Sequence, residues 1–138
     1  MAQPDINFLA VLIASIVSMI VGSLWYGPLF GKAWMKLMNI DKKKVNEMKK
    51  TGMGKSYFVM FVGLLLSNYI LAHFVDYTDS VTFGQGMLTG FWIWLGFLVT
   101  TMLGSILWDG KPFKLYLINV LHYFVTLTIS GGILAVWV

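Results

Sequence analysis

Cysteine and arginine are both absent from this chain of 138 residues, and charged residues of every kind are scarce. Without cysteine, the protein cannot form disulfides, use a thiolate nucleophile or bind a metal ion through a thiolate. Charged residues make up 12% of the chain and hydrophobic residues 58%, against about 25% and about 45–50% in soluble domains. A soluble domain of this length has too little interior to bury so much apolar surface, so the composition indicates a membrane protein.

Four long stretches contain no Asp, Glu, Lys or Arg, and in chain order they have 26, 20, 29 and 24 residues. Because an α-helix rises about 1.5 Å per residue, about 20 residues cross the hydrocarbon layer of a bilayer. We therefore predict one all-α integral membrane domain over residues 1–138. Its four predicted spans cover residues 6–26, 57–75, 86–108 and 113–137. The segment before span 1 has no basic residue, so we expect span 1 to be retained and not cleaved as a signal peptide.

The lysines are confined to two parts of the chain. Lys111 and Lys114 flank the beginning of span 4, and eight lie in a basic loop over residues 27–56. Because cytoplasmic loops collect Lys and Arg, we predict a multi-pass protein of the cell membrane with a cytoplasmic basic loop and extracytoplasmic termini. We expect the loop to contact anionic lipid headgroups, and its place beside the spans argues against nucleic acid as a partner. The basic-loop lysines are Lys32, Lys36, Lys42, Lys43, Lys44, Lys49, Lys50 and Lys55.

This topology makes a direct prediction for reporter fusions. A reporter fused after Val138 should be active only outside the cytoplasm, and one inserted near Asn46 only inside it, because the lysines hold the basic loop on the cytoplasmic side. The opposite pattern would contradict the model with both termini outside.

The basic loop also carries an amphipathic pattern. Phe30 and Trp34 are spaced for one helical face, with Lys32 and Lys36 on another, which predicts a short helix lying in the membrane interface. Asp41 is placed to cap a second amphipathic turn.

Two segments at the ends of spans resemble each other, which predicts an internal repeat. Residues 22–32 (GSLWYGPLFGK) and 104–114 (GSILWDGKPFK) each lead into a segment that bears lysine. We predict two repeated helical hairpins of the same orientation, related by an axis along the membrane normal. In the first segment, Pro28 is predicted to end span 1, because proline disfavours helical backbone in the residue before it. Trp25 and Tyr26 are then expected at the inner membrane interface.

Three motifs resemble a known family. They are residues 25–35 (WYGPLFGKAWM), residues 90–97 (GFWIWLGF) and residues 114–119 (KLYLIN). Together they are similar to the small membrane proteins grouped as domain of unknown function seventeen-sixty-one, and the resemblance covers most of the chain. It implies a multi-pass membrane protein and supplies no activity for any residue.

Span 4 carries a polar stripe on an otherwise apolar helix, because its polar residues recur every three or four positions. An amide or imidazole that faced lipid would lose its water without replacement, so the stripe should face protein or water. Two interpretations stay open: hydrogen bonds that hold helices together, worth about 0.6–2 kcal/mol each, or a polar path or pocket. The stripe comprises Asn119, His122, Tyr123, Thr126 and Ser130, with Asn68 of span 2 as a partner and Ser67, Tyr69, Thr100 and Thr101 as further candidates.

The two histidines invite a metal hypothesis that the predicted geometry disfavours. Aligning the two hairpins places His73 and His122 about 15 Å apart in depth, too far for both to bind one ion. We therefore predict no metal site and no cofactor, and we expect His73 at the outer interface.

Small residues recur every four or eight positions in two spans, which allows helix backbones to approach closely. They are Ala10, Ala14, Ser18 and Gly22 in span 1, and Gly96 and Gly104 in span 3, where Gly86 and Gly90 also lie. Four helices make a thin bundle, so we expect a homo-oligomer.

The leading functional hypothesis is an oligomeric channel or transporter-like protein for a small solute or ion. Its weakness is that no Asp, Glu, Lys or Arg lies in the membrane interior of a predicted span, whereas ion and proton paths usually contain one. The alternative is a non-catalytic interaction or structural protein that binds anionic lipid. An enzyme is least favoured, because His122 has no carboxylate or nucleophile at a recognisable spacing.

Overall fold

The computed structural model describes residues 6–50 and 52–137, and over these residues the chain forms helices and turns without a strand. Four helices are long and apolar enough to cross a membrane, which confirms the predicted four-span architecture. Their bounds lie within about three residues of those predicted. The spans are Phe8–Leu29, Gly54–Tyr77, Phe83–Leu107 and Phe113–Val136. The basic loop contains two short helices, Gly31–Leu37 and Lys42–Lys50.

Span 1 continues past the predicted end at Tyr26. It is an α-helix over Phe8–Leu24 and then widens into a π-helical turn over Trp25–Leu29 that contains Pro28. In an α-helix the proline ring would clash with the carbonyl group four residues earlier, and the wider turn relieves that crowding. Pro28 therefore deforms span 1 where we predicted that it would end it. Span 3 has a comparable π-helical turn over Trp94–Val99.

Capping side chains fix where several helices begin. Asn7 Oδ1 accepts hydrogen bonds from the backbone N–H groups of Leu9 at 3.0 Å and Ala10 at 3.3 Å. In the basic loop, Asp41 Oδ1 accepts one from the backbone N–H of Lys44 at 2.8 Å, which confirms its predicted role as a cap.

The loop helix Gly31–Leu37 has two different faces, as its pattern predicted. Lys32 and Lys36 are exposed, whereas Trp34 is half-buried and packs edge-on against Tyr26, with ring centroids 5.8 Å apart. All eight basic-loop lysines are exposed.

Span 4 lies at the centre of the bundle, and each of the other three spans packs on it. Spans 1 and 2 form one helical hairpin and spans 3 and 4 another. The two hairpins are packed differently, since span 4 is buried on several faces while span 2 is largely exposed. At the end of the bundle nearer the termini, the core of spans 1, 2 and 4 consists of small and aliphatic side chains: Ala10, Val11, Ala14, Leu71, Ala72, Val75, Leu134 and Ala135.

Spans 3 and 4 meet through their backbones. A Cβ atom on Gly86 would lie 2.0 Å from the Gly131 carbonyl oxygen, and one on Gly90 would lie 2.2 Å from that of Leu127. Side chains at these positions would therefore separate the two helices. We did not predict a packing role for Gly131, because the prediction rested on regularly spaced small residues.

Gly96 and Gly104, which we expected to pack helices, make no such contact within the described part of the chain. There, a Cβ on Gly96 would meet nothing within 4 Å, and one on Gly104 would meet only the ring of Trp108, at 3.6 Å. Large rings fill the space between spans 3 and 4 at this depth, where Trp94 and Phe124 pack with centroids 4.9 Å apart. These rings keep the two backbones apart.

Candidate functional site

A cavity of about 390 Å³ lies between spans 1, 2 and 4, in the half of the bundle nearer the basic loop. Its volume falls within the range of about 300–1,000 Å³ that is typical of small-molecule sites. Span 1 contributes Ser18, Met19, Gly22, Ser23, Tyr26 and Gly27 to its lining, span 2 contributes Tyr57, Met60, Leu64, Ser67 and Asn68, and span 4 contributes His122, Tyr123, Thr126, Leu127 and Ser130. No Asp, Glu, Lys or Arg is among these described residues.

Hydrogen bonds between spans close the cavity at its end nearer the termini. The hydroxyl oxygens of Ser18 and Ser130 are 3.1 Å apart, and Asn68 Nδ2 donates to Ser15 Oγ at 3.1 Å. All four side chains are buried. Beyond them lies the packed core around Ala14, so the cavity does not continue toward the termini.

The wall formed by the first turns of span 2 leaves the cavity open on one side. Tyr57 and Met60 line the cavity and are nevertheless 53% and 47% exposed. Ser23 and Gly27, across the cavity on span 1, are exposed as well. The cavity therefore opens between the end of span 1 and the beginning of span 2.

His122 is the unusual residue of this site. It is only 7% exposed, and neither ring nitrogen has a hydrogen-bond partner in the described part of the chain. A buried polar group without a partner costs about 1–3 kcal/mol, so such groups are rare and call for an explanation. The rings of Tyr26 and Tyr123 pack against the imidazole, with centroids 5.0 and 5.1 Å away.

Two indole groups attach spans 1 and 3 to span 4 in the turn before His122. Trp25 Nε1 donates to the Ile118 carbonyl oxygen at 2.9 Å, and Trp94 Nε1 donates to that of Val120 at 2.6 Å. Each tryptophan begins a π-helical turn, and such turns are frequent at functional sites. The indole of Trp25, which we predicted at the membrane interface, is half-buried against span 4.

Most residues of the predicted polar stripe line the cavity, whereas Asn119 does not. His122, Tyr123, Thr126, Ser130 and Asn68 line the cavity together. Asn119 lies outside the lining, where its Oδ1 accepts a hydrogen bond from the Tyr26 hydroxyl at 2.8 Å. Thr126 Oγ1 donates to the carbonyl oxygen of His122 at 3.0 Å.

The other candidate partners of the stripe lie in different surroundings, inside and outside the cavity. Ser67 lines the cavity, whereas Tyr69 stacks on Phe8, with ring centroids 6.0 Å apart. Thr100 and Thr101 are exposed, and Thr100 donates to the Gly96 carbonyl oxygen at 2.7 Å. Span 3 packs on a different face of span 4, so its threonines do not reach the stripe.

Tyr26 and Gly22 are the site residues whose role the sequence analysis missed. The signal was available, because Ser18, Gly22 and Tyr26 continue the spacing of four that begins at Ala10. That spacing was interpreted as helix packing alone. In the structure Ala10 and Ala14 pack in the core, whereas Ser18, Gly22 and Tyr26 line the cavity.

The described residues contain no group of three or more His, Asp or Glu that could hold a metal ion. His73 lies near the other end of the bundle, where its Nδ1 is 2.8 Å from the Tyr69 carbonyl oxygen.

Comparison with known proteins places the chain in one family. Neither curated proteins nor solved structures give a match. A family model described as a protein of unknown function, DUF1761, matches residues 9–135. This range includes the three motifs identified in the sequence and every residue that lines the cavity. The chain therefore belongs to the DUF1761 family of proteins of unknown function.

Proposed function

We propose that the protein is a transporter-like membrane protein whose cavity binds a small uncharged solute. The lining of the cavity carries this proposal, because it offers hydroxyl, amide and imidazole groups and no Asp, Glu, Lys or Arg. Ion and proton paths through membranes usually contain a charged side chain. The lining therefore favours an uncharged solute over an ion.

The shape of the cavity supports the same function. It is open on the side of Tyr57 and Met60 and closed by the hydrogen bonds between Ser18 and Ser130 and between Ser15 and Asn68. A site near mid-membrane that is open on one side only is typical of one end state of a transporter. A homo-oligomer stays part of this proposal, since Trp92 and Phe97 of span 3 are exposed and can meet lipid or a second copy.

Cysteine substitution in this cysteine-free chain tests whether the cavity holds water. Ser67→Cys should react with a water-soluble maleimide, because Ser67 lines the cavity and a thiolate needs water to form. Two controls should stay unreactive. Ser15→Cys is fully buried. Thr100→Cys is exposed on the outer surface of span 3, where we expect lipid and not water. Reaction should be followed by intact-protein mass spectrometry in liposomes.

The same variants connect the cavity to transport. Liposomes that contain the protein should pass a panel of small uncharged solutes faster than empty liposomes, and maleimide should slow that flux only for Ser67→Cys. Flux of potassium or chloride without flux of any uncharged solute would contradict the proposal. So would an unreactive Ser67→Cys, because a dry cavity cannot pass a polar solute.

A second candidate function is the binding of anionic lipid by a structural protein. The observation that favours it is the exposure of all eight basic-loop lysines. Against Asp41 and Glu47 they leave a net charge of +6 between Lys32 and Lys55. Each lysine near an anionic membrane surface contributes about 1 kcal/mol.

A peptide of residues 29–55 tests this candidate. It should bind vesicles that contain anionic lipid much more strongly than neutral vesicles, and high salt should release it, because the attraction is electrostatic and screened. Vesicle sedimentation measures both the preference for anionic lipid and the release by salt. Equal binding to the two kinds of vesicle would mean that the lysines serve topology alone.

A further inference from the structure

We infer that the solute of the cavity is an uncharged amphiphile, with one hydrogen-bonding head group and an apolar body, that enters from the bilayer between spans 1 and 2. This inference rests on the proposed function and names its substrate class. Three features of the cavity support it: the mixed apolar and polar lining, the unpaired imidazole of His122 and the position of the opening.

The lining of the cavity combines apolar and hydrogen-bonding side chains. Met19, Met60, Leu64 and Leu127 supply an apolar surface. Methionine side chains are unbranched and flexible, so they adapt to the shape of an apolar ligand. Hydrogen-bonding groups come from all three spans. A molecule that matches both kinds of surface has an apolar body and a polar end.

The polar end is expected beside Gly22 and His122. Among the described residues, a Cβ atom built on Gly22 would have one neighbour within 4 Å, the Nε2 atom of His122 at 3.4 Å, which is an ordinary van der Waals contact. Both ring nitrogens are buried without a partner in the described part of the chain, so a ligand oxygen would reach Nε2 when the imidazole turns toward the cavity. A neutral imidazole offers one donor and one acceptor, which suits a hydroxyl or amide group. A charged head group would find no opposite charge in the lining and would lose its hydration.

The opening of the cavity lies between two membrane-spanning helices, so we expect it to face the bilayer. Its rim on span 2 is formed by Tyr57 and Met60, which lie in the membrane-spanning helix Gly54–Tyr77 and are about half exposed. The facing rim on span 1 includes Ser23, which is also exposed. A molecule dissolved in the membrane would reach the cavity through this gap without first passing through water.

Photolabelling of the whole protein in lipid nanodiscs tests the inference. The probe is octanol that carries a photoreactive diazirine, and the two matched probes replace its hydroxyl group by hydrogen or by a quaternary ammonium group. Peptide mass spectrometry should locate the octanol label on cavity residues of spans 1, 2 and 4, with competition by plain octanol. One lost hydrogen bond corresponds to about a three- to tenfold lower yield for the probe without the hydroxyl group.

Three variants show whether the label reports this site. Gly22→Ala places a methyl group in van der Waals contact with Nε2 and meets nothing else within 4 Å among the described residues, so it should fold, cover Nε2 and lose labelling by a similar factor. Met60→Trp should obstruct the opening, whereas Val59→Trp, on the adjacent exposed position, should label like the natural chain. Circular dichroism confirms that each variant is folded.

The outcomes separate this inference from the proposed function. Equal labelling by all three probes, or equal labelling of Met60→Trp and Val59→Trp, would mean ordinary partitioning into lipid and would overturn the inference. Flux of uncharged solutes in that case would leave the proposed function intact. Specific labelling without any flux would support the site and overturn transport.

Discussion

Gly131→Ala is expected to separate spans 3 and 4 and to lower the free energy of unfolding by about 3 kcal/mol or more. The added Cβ would lie 2.2 Å from the Gly86 carbonyl oxygen. Overpacking usually costs about 1–3 kcal/mol when side chains can adjust. Here the obstacle is backbone, which cannot rotate away as a side chain can. Unfolding by SDS titration in mixed micelles measures the loss.

Gly96→Ala is the matched control for this substitution. Gly96 lies in span 3, the helix that Gly131 contacts, and among the described residues a Cβ there would meet nothing within 4 Å. Because alanine has the higher helix propensity, by up to about 1 kcal/mol, the control should be neutral or slightly more stable than the natural chain. Equal effects of the two substitutions would contradict the packing of spans 3 and 4 described above.

His122→Leu is expected to make the protein more stable and to weaken binding in the cavity by about three- to tenfold. The substitution removes two buried nitrogen atoms that have no partner among the described residues. Since an unsatisfied buried group costs about 1–3 kcal/mol, the free energy of unfolding should rise by an amount of that order. Labelling by the octanol probe and solute flux should both fall, because the polar contact is lost.

Asn68→Leu is expected to have the opposite effect on stability. Asn68 is as deeply buried as His122 and lines the same cavity, but its Nδ2 donates to Ser15 Oγ. Its loss should lower the free energy of unfolding by about 0.6–2 kcal/mol. If His122→Leu also destabilised the protein, His122 would be a structural residue, and the cavity would lose its best candidate for ligand recognition.

The spans could be predicted closely because hydrophobic length is a property of each segment alone. Charge-free stretches and the bilayer thickness are enough to find four helices, whatever the helices then contact. The end of span 1 was predicted three residues too early, because a proline rule that holds for α-helices was applied to Pro28. A π-helical turn also accommodates a proline, without ending the helix. No local sequence pattern distinguishes a helix that ends at the proline from one that widens around it.

The site was harder to predict because it depends on which faces of different helices meet. The stripe on span 4 was visible, since spacing within one helix defines a face. Its partners were not, and Thr100 and Tyr26 show why. Thr100 has the right chemistry and lies on a helix that packs elsewhere, whereas Tyr26 was assigned to the membrane interface by residue type. Depth in the membrane can be estimated from sequence, but rotation and neighbour order cannot.

The backbone contact between Gly86 and Gly131 has a consequence for how the bundle can move. Separating spans 3 and 4 would open a long seam in which carbonyl groups and Cα atoms touch directly. Separating span 1 from span 4 at the closed end of the cavity would break the Ser18–Ser130 hydrogen bond, worth about 0.6–2 kcal/mol. We therefore expect spans 3 and 4 to behave as a rigid pair, and the hairpin of spans 1 and 2 to swing against it.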